Sequence, residues 1–283
     1  MKKISILIPL ILLALFAFTK TNSTSTESEK TNSKTEEENQ KITREEVIYT
    51  DGETTLKGYL FYPEDSKGKK SGVIVVHEWW GNNEYAQMRA EMIASLGYVA
   101  FAADMYGNGI VVDNPTDATK QSGMIYQNPN ILKDRMQAAY DVLAENSRVD
   151  KKHIAAIGYC FGGTVALGAA NMGVPVEVVV SFHGGLAGFK ANEAMDNVQT
   201  LICHGAADQF VPETDVANFK KGMNAVNAPC EFKEYEGATH AFTNPEATEV
   251  GEKFKLPIAY NQAADEASWK DMKTFFDAHF KIK

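Results

Sequence analysis

Short apolar segments and longer amphipathic segments alternate along most of this chain. Leu56–Tyr62 shows the two-residue alternation of a half-buried antiparallel strand at a sheet edge. Gly72–His77 is instead a continuous run rich in β-branched residues, which is typical of a strand buried on both faces. Five later segments resemble that run and are predicted strands: Tyr98–Ala103, Ile154–Gly158, Val176–Phe182, Thr200–Cys203 and Glu231–Tyr235.

The amphipathic segments between these strands have the spacing of helices. They are Glu84–Leu96, Asn130–Glu145, Phe161–Asn171, Glu213–Val226 and Ala263–Phe280. Strands that alternate with helices predict an α/β fold, in which a mainly parallel sheet is flanked by helices on both faces. Ligands of such sheets bind beyond the carboxyl ends of the strands, so we expect the chemistry there.

The first 44 residues follow a different pattern. A basic start, Met1 to Lys3, precedes the uncharged apolar run Ile4–Phe18, which is shorter than the roughly 20 residues of a membrane span. This predicts a signal peptide over residues 1–18 and an exported protein, periplasmic or secreted, with an uncleaved anchor as the alternative. Residues 19–44 are almost wholly polar and predict a disordered spacer, which leaves residues 45–283 for one domain.

Charge and cysteine content narrow the classes of partner. The formal net charge is −9 and basic blocks are absent, which argues against nucleic acid and against stable membrane association after removal of the leader. The three cysteines, Cys160, Cys203 and Cys230, are an odd number, so at least one thiol of the exported chain stays free. We predict a small-molecule substrate, with no cofactor and no metal.

The segment Gly158-Tyr-Cys-Phe-Gly-Gly163 carries the first sign of catalysis. It follows a predicted strand and opens a predicted helix, with Cys160 in the position of a nucleophile. A nucleophile on so sharp a strand-to-helix turn needs tiny neighbours, which Gly158 and Gly162 provide. A helix N-terminus also favours the thiolate. The alternative is a small buried cysteine among glycines that serve packing.

An acid and a histidine follow in the order that such a nucleophile requires. Asp208 lies just beyond the predicted strand Thr200–Cys203, and His240 lies just beyond the predicted strand Glu231–Tyr235. Asp208 can orient His240, which can then take or return a proton. Taken singly, Asp208 could be a helix N-cap and His240 an ordinary loop histidine.

The loop after Gly72–His77 supplies further candidates. Such a loop usually provides one oxyanion N–H group and the residue after the nucleophile provides the other, so we predict the backbone N–H groups of Trp79 and Phe161. Glu78 is a carboxylate placed beside the same site, although it could also be an ordinary surface residue. Aromatic residues at strand ends either line a pocket or belong to the core: Trp79, Trp80, Tyr106, Tyr159 and Phe210.

From about Val47 to Phe280 the chain resembles the dienelactone hydrolase family (carboxymethylenebutenolidase-like esterases). The matching motifs are His77-Glu-Trp-Trp-Gly81, Ala103-Asp-Met-Tyr-Gly107, Gly158-Tyr-Cys-Phe-Gly-Gly163, His204-Gly-Ala-Ala-Asp208 and Gly237-Ala-Thr-His-Ala-Phe242. The resemblance implies an α/β-hydrolase fold and an ester or lactone hydrolase that forms an acyl-enzyme through Cys160, Asp208 and His240. It also implies that Glu78 helps to deprotonate Cys160 when substrate enters.

The chain departs from that family where dienelactone is held. Family members that act on dienelactone grip its carboxylate with two arginines, whose positions fall here on Asn108 and Asn244. With Tyr106, these asparagines are the predicted substrate-binding residues. An asparagine offers only neutral donors to a carboxylate, so we expect a substrate without a free carboxylate, unless another cation such as Arg89 reaches the pocket.

Two other functions remain open at this stage. A metal-dependent hydrolase could draw its ligands from the soft donors near the strand ends, although no pair has ligand spacing on one element. These donors are His77, Cys160, His183, Cys203, His204 and His240. A non-catalytic binding protein could keep the fold and lose the chemistry, but the presence of all three triad residue types favours an enzyme.

Overall fold

A computed structural model describes residues 41–280. The predicted leader and most of the predicted spacer lie outside the described residues. The end of the predicted spacer has to be corrected, because strand β1 (Ile42–Thr50) begins before Arg44. The sequence pattern did not predict the start of this strand, because Arg44, Glu45 and Glu46 are charged. An edge strand with an open face tolerates such polar side chains. Within residues 41–280, no helix has the length and apolar character of a membrane span.

One eight-stranded sheet organises the molecule. After β1, its strands are β2 (Thr55–Pro63), β3 (Lys70–Val76), β4 (Val99–Ala103), β5 (Val149–Tyr159), β6 (Val178–Phe182), β7 (Gln199–Gly205) and β8 (Cys230–Tyr235). Their order across the sheet is β1-β2-β4-β3-β5-β6-β7-β8, antiparallel from β1 to β4 and parallel beyond. The predicted α/β fold is confirmed, but β2 is not an edge strand, because β1 covers it.

The described part of the chain has seven α-helices, of which the first five connect strands and the last two follow β8. They are α1 (Glu84–Ser95), α2 (Pro115–Gln127), α3 (Pro129–Glu145), α4 (Phe161–Asn171), α5 (Glu213–Ala225), α6 (Ala247–Phe254) and α7 (Gln262–His279). Two of them were not predicted. Most positions of α2 are polar or small and α6 has only eight residues, so neither shows a long apolar stripe.

The helices cover both faces of the sheet and create two apolar cores. Alternate residues of β3 show the division, since Val73 and Val75 belong to one core and Ile74 and Val76 to the other. A parallel strand buried on both faces needs this continuous apolar sequence. The two cores hold the strands rigidly, and the parallel strands β3 to β8 present their carboxyl ends on one edge of the sheet.

Candidate active site

Cys160 lies on the sharp turn between β5 and α4. Its φ of +53° and ψ of −116° are unusual for a residue with a side chain, and it is the N-cap of α4. A Cβ at Gly158 would overlap the backbone of Gly162, and a Cβ at Gly162 would overlap the carbonyl group of Val76. The glycines therefore permit a turn that any larger residues would block, and the turn presents a half-buried thiol at the sheet edge.

The structure brings the three predicted triad side chains together. His240 Nε2 lies 3.0 Å from Cys160 Sγ, and His240 Nδ1 lies 2.7 Å from Asp208 Oδ2. The backbone N–H of Phe210 donates to the other oxygen of Asp208 at 2.8 Å. Asp208 accepts on both oxygens, so it holds a proton on Nδ1 of His240 and turns Nε2 toward the thiol. This geometry suits proton transfer between sulfur and imidazole.

The surroundings of His240 favour its protonated form. Burial opposes the charged imidazolium, but the Cys160 thiolate and the Asp208 carboxylate outweigh burial and raise the pKa of His240 to about 10. The other two thiols lack such a partner, and burial raises the pKa of Cys203 and of Cys230 to about 12. Among the described residues, Cys160 is thus the thiol that has a histidine side chain within hydrogen-bonding distance.

Three of the six non-glycine residues that adopt positive φ in the described part of the chain lie beside these groups. Cys160, His183 and Ala241 all adopt positive φ angles, of +53°, +40° and +57°, although none is a glycine. They stand at or just beyond the carboxyl ends of β5, β6 and β8, next to or within the triad. Strained residues persist only where their surroundings hold them, and they often mark functional sites.

Glu78 is a buried carboxyl group at the same edge. Its side chain accepts a hydrogen bond from Asn244 Nδ2 at 2.7 Å on Oε2, whereas Oε1 is buried without a hydrogen-bond partner. Burial raises the pKa of Glu78 to about 7. The structure thus places Glu78 inside the site, against the alternative of a surface carboxylate, with a proton affinity suited to exchange near neutral pH.

The predicted oxyanion N–H groups belong to residues that are firmly held. Phe161 is the first residue of α4, where a backbone N–H has no intrahelical partner. The carbonyl group of Trp79 accepts a hydrogen bond from the Tyr106 hydroxyl at 2.8 Å. The ring of His77 stacks on Phe161 at 5.5 Å, and its Nε2 accepts the backbone N–H of Met105 at 3.2 Å. These contacts fix the loop after β3 beside α4, while the oxyanion role stays a prediction.

A cavity of about 210 Å³ opens over Cys160. Its walls are mostly apolar, and Glu78 and His240 are the charged or basic groups among the described residues that line it. The lining consists of Glu78, Trp79, Trp80, Tyr126, Cys160, Phe161, Gly185, Phe210, His240, Ala241, Asn244, Ala247, Val250, Leu256 and Ile258. Neither lysine nor arginine occurs in this set, so a carboxylate entering the cavity would meet the Glu78 carboxyl group, and the imidazole of His240 is already engaged by Asp208 and Cys160.

The structure corrects two of the predicted substrate-binding residues. Asn108 is exposed, with its φ at +54°, and it borders a separate surface depression beside Lys57 and Tyr59. Tyr106 is buried under the Trp79 loop and does not line the cavity. Arg89 does not reach the cavity either, because it is buried against Asp265. Of the predicted substrate-binding residues, Asn244 alone is placed in the cavity wall.

Several cavity residues were missed because they lie on elements without a local sequence signal. Tyr126 is near the end of α2, and Ala247 and Val250 belong to α6. Leu256 and Ile258 follow α6, and Ile258 forms a bridge with His240. The apolar residues after the Gly237–Phe242 motif were the available signal, since the chain beyond a catalytic histidine often folds back over the site.

The soft donors of the sequence do not form a metal site. Among residues 41–280, no group of three or more His, Cys, Asp or Glu side chains is arranged to hold a metal ion. His77 is engaged by Met105, and burial lowers the pKa of His77 to about 4. The arrangement gives no support to the metal-dependent alternative.

Comparison with known proteins supports one family. The model of the dienelactone hydrolase family matches residues 56–280. Protein usf of Aquifex pyrophilus is 30% identical over 211 residues, 73% of this chain and 90% of that protein. A dienelactone hydrolase-like promiscuous phosphotriesterase from metagenomic libraries has 33% identity and a TM-score of 0.80, over 85% of this chain and 99% of that one. Esterase 2 of Thermogutta terrifontis shares the fold, with 19% identity, a TM-score of 0.61, and coverage of 83% and 94%.

Proposed function

This chain belongs to the dienelactone hydrolase family, and from that premise we propose that it cleaves an ester or lactone through Cys160, His240 and Asp208. It is a dienelactone hydrolase-like carboxylic ester hydrolase. The observation that carries the proposed triad is the 3.0 Å approach of His240 Nε2 to Cys160 Sγ, with Asp208 on the opposite nitrogen. The non-catalytic alternative has no comparable support.

In the proposed reaction, the Cys160 thiolate attacks the carbonyl carbon of the substrate. The carbonyl electron pair moves onto oxygen, where the N–H groups of Trp79 and Phe161 are the candidate donors. The tetrahedral intermediate then expels the alkoxide, which takes a proton from His240 and leaves a thioester on Cys160. Water attacks this thioester after losing a proton to His240, and thiolate departure releases the acid.

Glu78 has a proposed role before the first bond forms. Its Oε1 is buried without a partner in the cavity wall, and a pKa near 7 allows it to accept a proton at neutral pH. We propose that Glu78 assists removal of the thiol proton when substrate displaces water from the cavity. Asn244 keeps the carboxyl group in place by donating to Oε2.

Trapping of the acyl-enzyme tests the proposed triad directly. An aryl acetate mixed with excess enzyme should leave an acetyl group on Cys160, detectable by intact-protein and peptide mass spectrometry. The Cys160→Ala variant is the matched control and should carry no acetyl group. Acetylation at another residue, or full turnover by Cys160→Ala, would show that Cys160 is not the nucleophile.

The lining of the cavity indicates a neutral substrate. A carboxylate placed there would lose water, meet Glu78, and find the neutral amide of Asn244 and the imidazole of His240, which Asp208 and Cys160 already engage. Loss of two charge-assisted contacts corresponds to about a hundredfold or more in kcat/KM. A carboxylate-bearing lactone and its methyl ester should therefore differ in favour of the ester when one enzyme preparation hydrolyses both. Preference for the free acid would contradict this substrate class.

A second activity is suggested by the same cavity and by one relative. The metagenomic relative is named a promiscuous phosphotriesterase, and a phosphotriester is uncharged, as a cavity without a lysine or arginine side chain favours. We propose that an aryl phosphotriester is cleaved slowly at Cys160. Aryl release should be lost in Cys160→Ala and absent for the anionic diester; equal rates on triester and diester would reject this activity.

Localisation remains a proposal that rests on the leader. The basic start and apolar run to Phe18 favour export, with a mature N-terminus between about Phe18 and Thr26. N-terminal sequencing of protein recovered outside the cytoplasm should find such a start. An intact Met1 confined to the cytoplasm would rule out export.

A further inference from the structure

We propose that His183 is a positioning residue whose ring, held in a single tautomer, ties the backbone of Cys160 to the loop that carries His240. This inference rests on the proposed function of Cys160 as the nucleophile. His183 immediately follows β6 and is buried. The proposed reaction gives it no part, yet it contacts the residues of both groups that exchange the proton.

The first contact joins His183 to the nucleophile itself. The backbone N–H of Cys160 is shared between the carbonyl group of Phe182, at 2.9 Å, and Nδ1 of His183, at 3.0 Å. A backbone N–H can only donate, so Nδ1 must accept and cannot carry a proton. The proton of the neutral ring is therefore on Nε2. Burial holds the pKa of His183 well below its ordinary value, in keeping with a neutral ring.

The second contact joins His183 to the histidine loop. Its Nε2 lies 2.7 Å from Oγ1 of Thr243, three residues beyond His240, and donates its proton there. The ring of His183 also meets the ring of His240 edge-on, at 5.4 Å between centroids. One imidazole thus links the turn after β5 with the loop after β8.

Further hydrogen bonds hold Thr243 in place. Tyr85 OH lies 2.6 Å from Thr243 Oγ1, and Arg89 donates to Tyr85 OH at 3.2 Å and to the carbonyl group of Thr243. Arg89 is itself paired with Asp265 at 2.7 Å. Because these polar groups are buried and paired, moving one of them leaves others without partners.

The backbone around His183 is strained in a way that needs support. Its φ is +40°, whereas residues with side chains rarely adopt positive values. The next residue, Gly184, packs so closely on Gly163 of α4 that a Cβ at either position would be in conflict with its surroundings. The backbone of the turn after β6 thus packs directly on the backbone of the first turn of α4. The ring of His183 adds the hydrogen bond to Cys160 at the same contact.

The tautomer is the part of this arrangement that a substitution can change. If Thr243 lost its hydroxyl, Nε2–H of His183 would be a buried donor without an acceptor, and the tautomer with its proton on Nδ1 would compete. Two donors, Nδ1–H and the N–H of Cys160, would then face each other. The nucleophile would shift relative to His240, which slows the chemical step and leaves substrate binding nearly intact.

Thr243→Val and Thr243→Ser form the matched pair for the test, because valine keeps the shape and serine keeps the hydroxyl. Thr243→Val should lower kcat about tenfold or more with KM within about twofold, whereas Thr243→Ser should restore most of the lost rate. Nitrogen-15 NMR of the histidine rings should show His183 protonated on Nε2 in the wild type and in Thr243→Ser. That signal should be lost or exchange-broadened in Thr243→Val.

One further variant, His183→Asn, keeps the test decisive if Thr243→Val folds poorly. Asparagine tolerates positive φ, so His183→Asn should fold, but its short amide cannot span from Cys160 to Thr243 and kcat should fall without a matching rise in KM. Unchanged kcat in His183→Asn, or equal loss in Thr243→Val and Thr243→Ser, would overturn the proposal. The NMR arm does not depend on catalysis, so activity retained by Cys160→Ala would reject the proposed function while leaving the tautomer assignment standing.

Discussion

The turn after β4 and the turn after β5 both carry family motifs, but the first is stabilised by hydrogen bonds and the second is strained. In the first, buried Asp104 accepts four backbone N–H groups at 2.8–3.0 Å, from Lys57, Tyr106, Gly107 and Gly109. In the second, Cys160 is strained, and the nearby Glu78 leaves one buried oxygen without a partner.

This difference separates a structural motif from a reactive one. A carboxylate whose hydrogen bonds are all made is stabilised in one state and offers nothing to a substrate. A residue with strained backbone and an unpartnered buried carboxyl group hold unfavourable free energy that binding or reaction can release. Both motifs contribute to the family resemblance, and the hydrogen bonds of the folded protein show how their roles differ.

The largest expected effect belongs to Cys160→Ala. This change should lower kcat/KM for an aryl ester by about 10⁴-fold or more, because the members of a triad act as a unit. The free energy of unfolding should change by no more than about 1 kcal/mol, because alanine removes one half-buried sulfur and keeps the strained backbone. Steady-state kinetics and urea unfolding measure the two quantities.

His240→Ala is the companion variant and should cost about as much activity, while Asp208→Asn should be severe but less so. If Cys160→Ala kept full turnover, the turn after β5 would not be the reactive one, and its contrast with the structural turn after β4 would be lost. A large loss of stability in that variant would also remove the contrast, because the turn after β5 would then be structural as well.

Asp104→Asn should show the opposite behaviour. The amide keeps Oδ1 for Tyr106 and Gly107 but turns Nδ2 toward the N–H groups of Lys57 and Gly109. Two buried N–H groups lose a charged acceptor, so the free energy of unfolding should fall by about 3–5 kcal/mol. Denaturant unfolding, followed by fluorescence, measures this change.

Activity provides the control for Asp104→Asn. At a temperature where the variant is folded, kcat/KM should stay within about threefold of the wild type, because Asp104 does not line the cavity. A loss of activity far larger than the loss of folded protein would mean that Asp104 acts on the reaction.

Glu78→Gln should combine a gain in stability with a loss of activity. The pKa of Glu78 is raised from its ordinary value of 4.5 to about 7, so the folded protein disfavours the charged form. Above pH 7 this costs the wild type about 3 kcal/mol of unfolding free energy, and the cost disappears as the pH falls toward 4.5. Glutamine cannot ionise, so the variant should be more stable by about that amount at pH 8 and equal to the wild type near pH 4.5.

The kinetic part of this prediction is separate. Glu78→Gln should slow acylation and remove the rise of kcat/KM with pH near 7, because no carboxylate then assists deprotonation of Cys160. Unfolding curves and pH–rate profiles on the same preparations test both halves. Stability that is equal at pH 8 would show that Glu78 is better solvated than its burial implies; an unchanged pH–rate profile would remove it from the mechanism.

The features of this molecule that neighbouring residues determine could be predicted from the sequence. Helix α4 has the predicted bounds Phe161–Asn171, because Gly158 permits the sharp turn before the helix and small and apolar residues make up most of the helix itself. The triad order followed from the same kind of signal. The sequence also predicted the family, which the match over residues 56–280 confirms.

The remaining features depend on contacts that are distant in sequence. Strand β1 exists because β2 offers it an edge, although its own residues are largely charged. Asn108 follows Tyr106 by two residues, yet the positive φ angles at Gly107, Asn108 and Gly109 turn it away from the cavity. The tie between Cys160 and Thr243 spans three strand ends, and no local pattern encodes it.

The smallest expected effect is a change in KM at Phe210, at the mouth of the cavity. Half of its surface is exposed, and its ring meets His240 edge-on at 5.1 Å between centroids, while its backbone N–H supports Asp208. Phe210→Ala keeps that N–H, so it removes only the ring contact, worth about 0.5–1.5 kcal/mol. KM for an aryl ester should rise by about two- to tenfold with kcat nearly unchanged. A methyl ester, which lacks the ring that Phe210 can contact, should be affected less.

The control variant is Phe210→Leu, which retains apolar cover. Its KM for the aryl ester should lie between the values of Phe210→Ala and the wild type. Equal losses of kcat for both esters would instead mean that the ring holds His240 in place, and the reactive region would then extend from the strand ends to the mouth of the cavity.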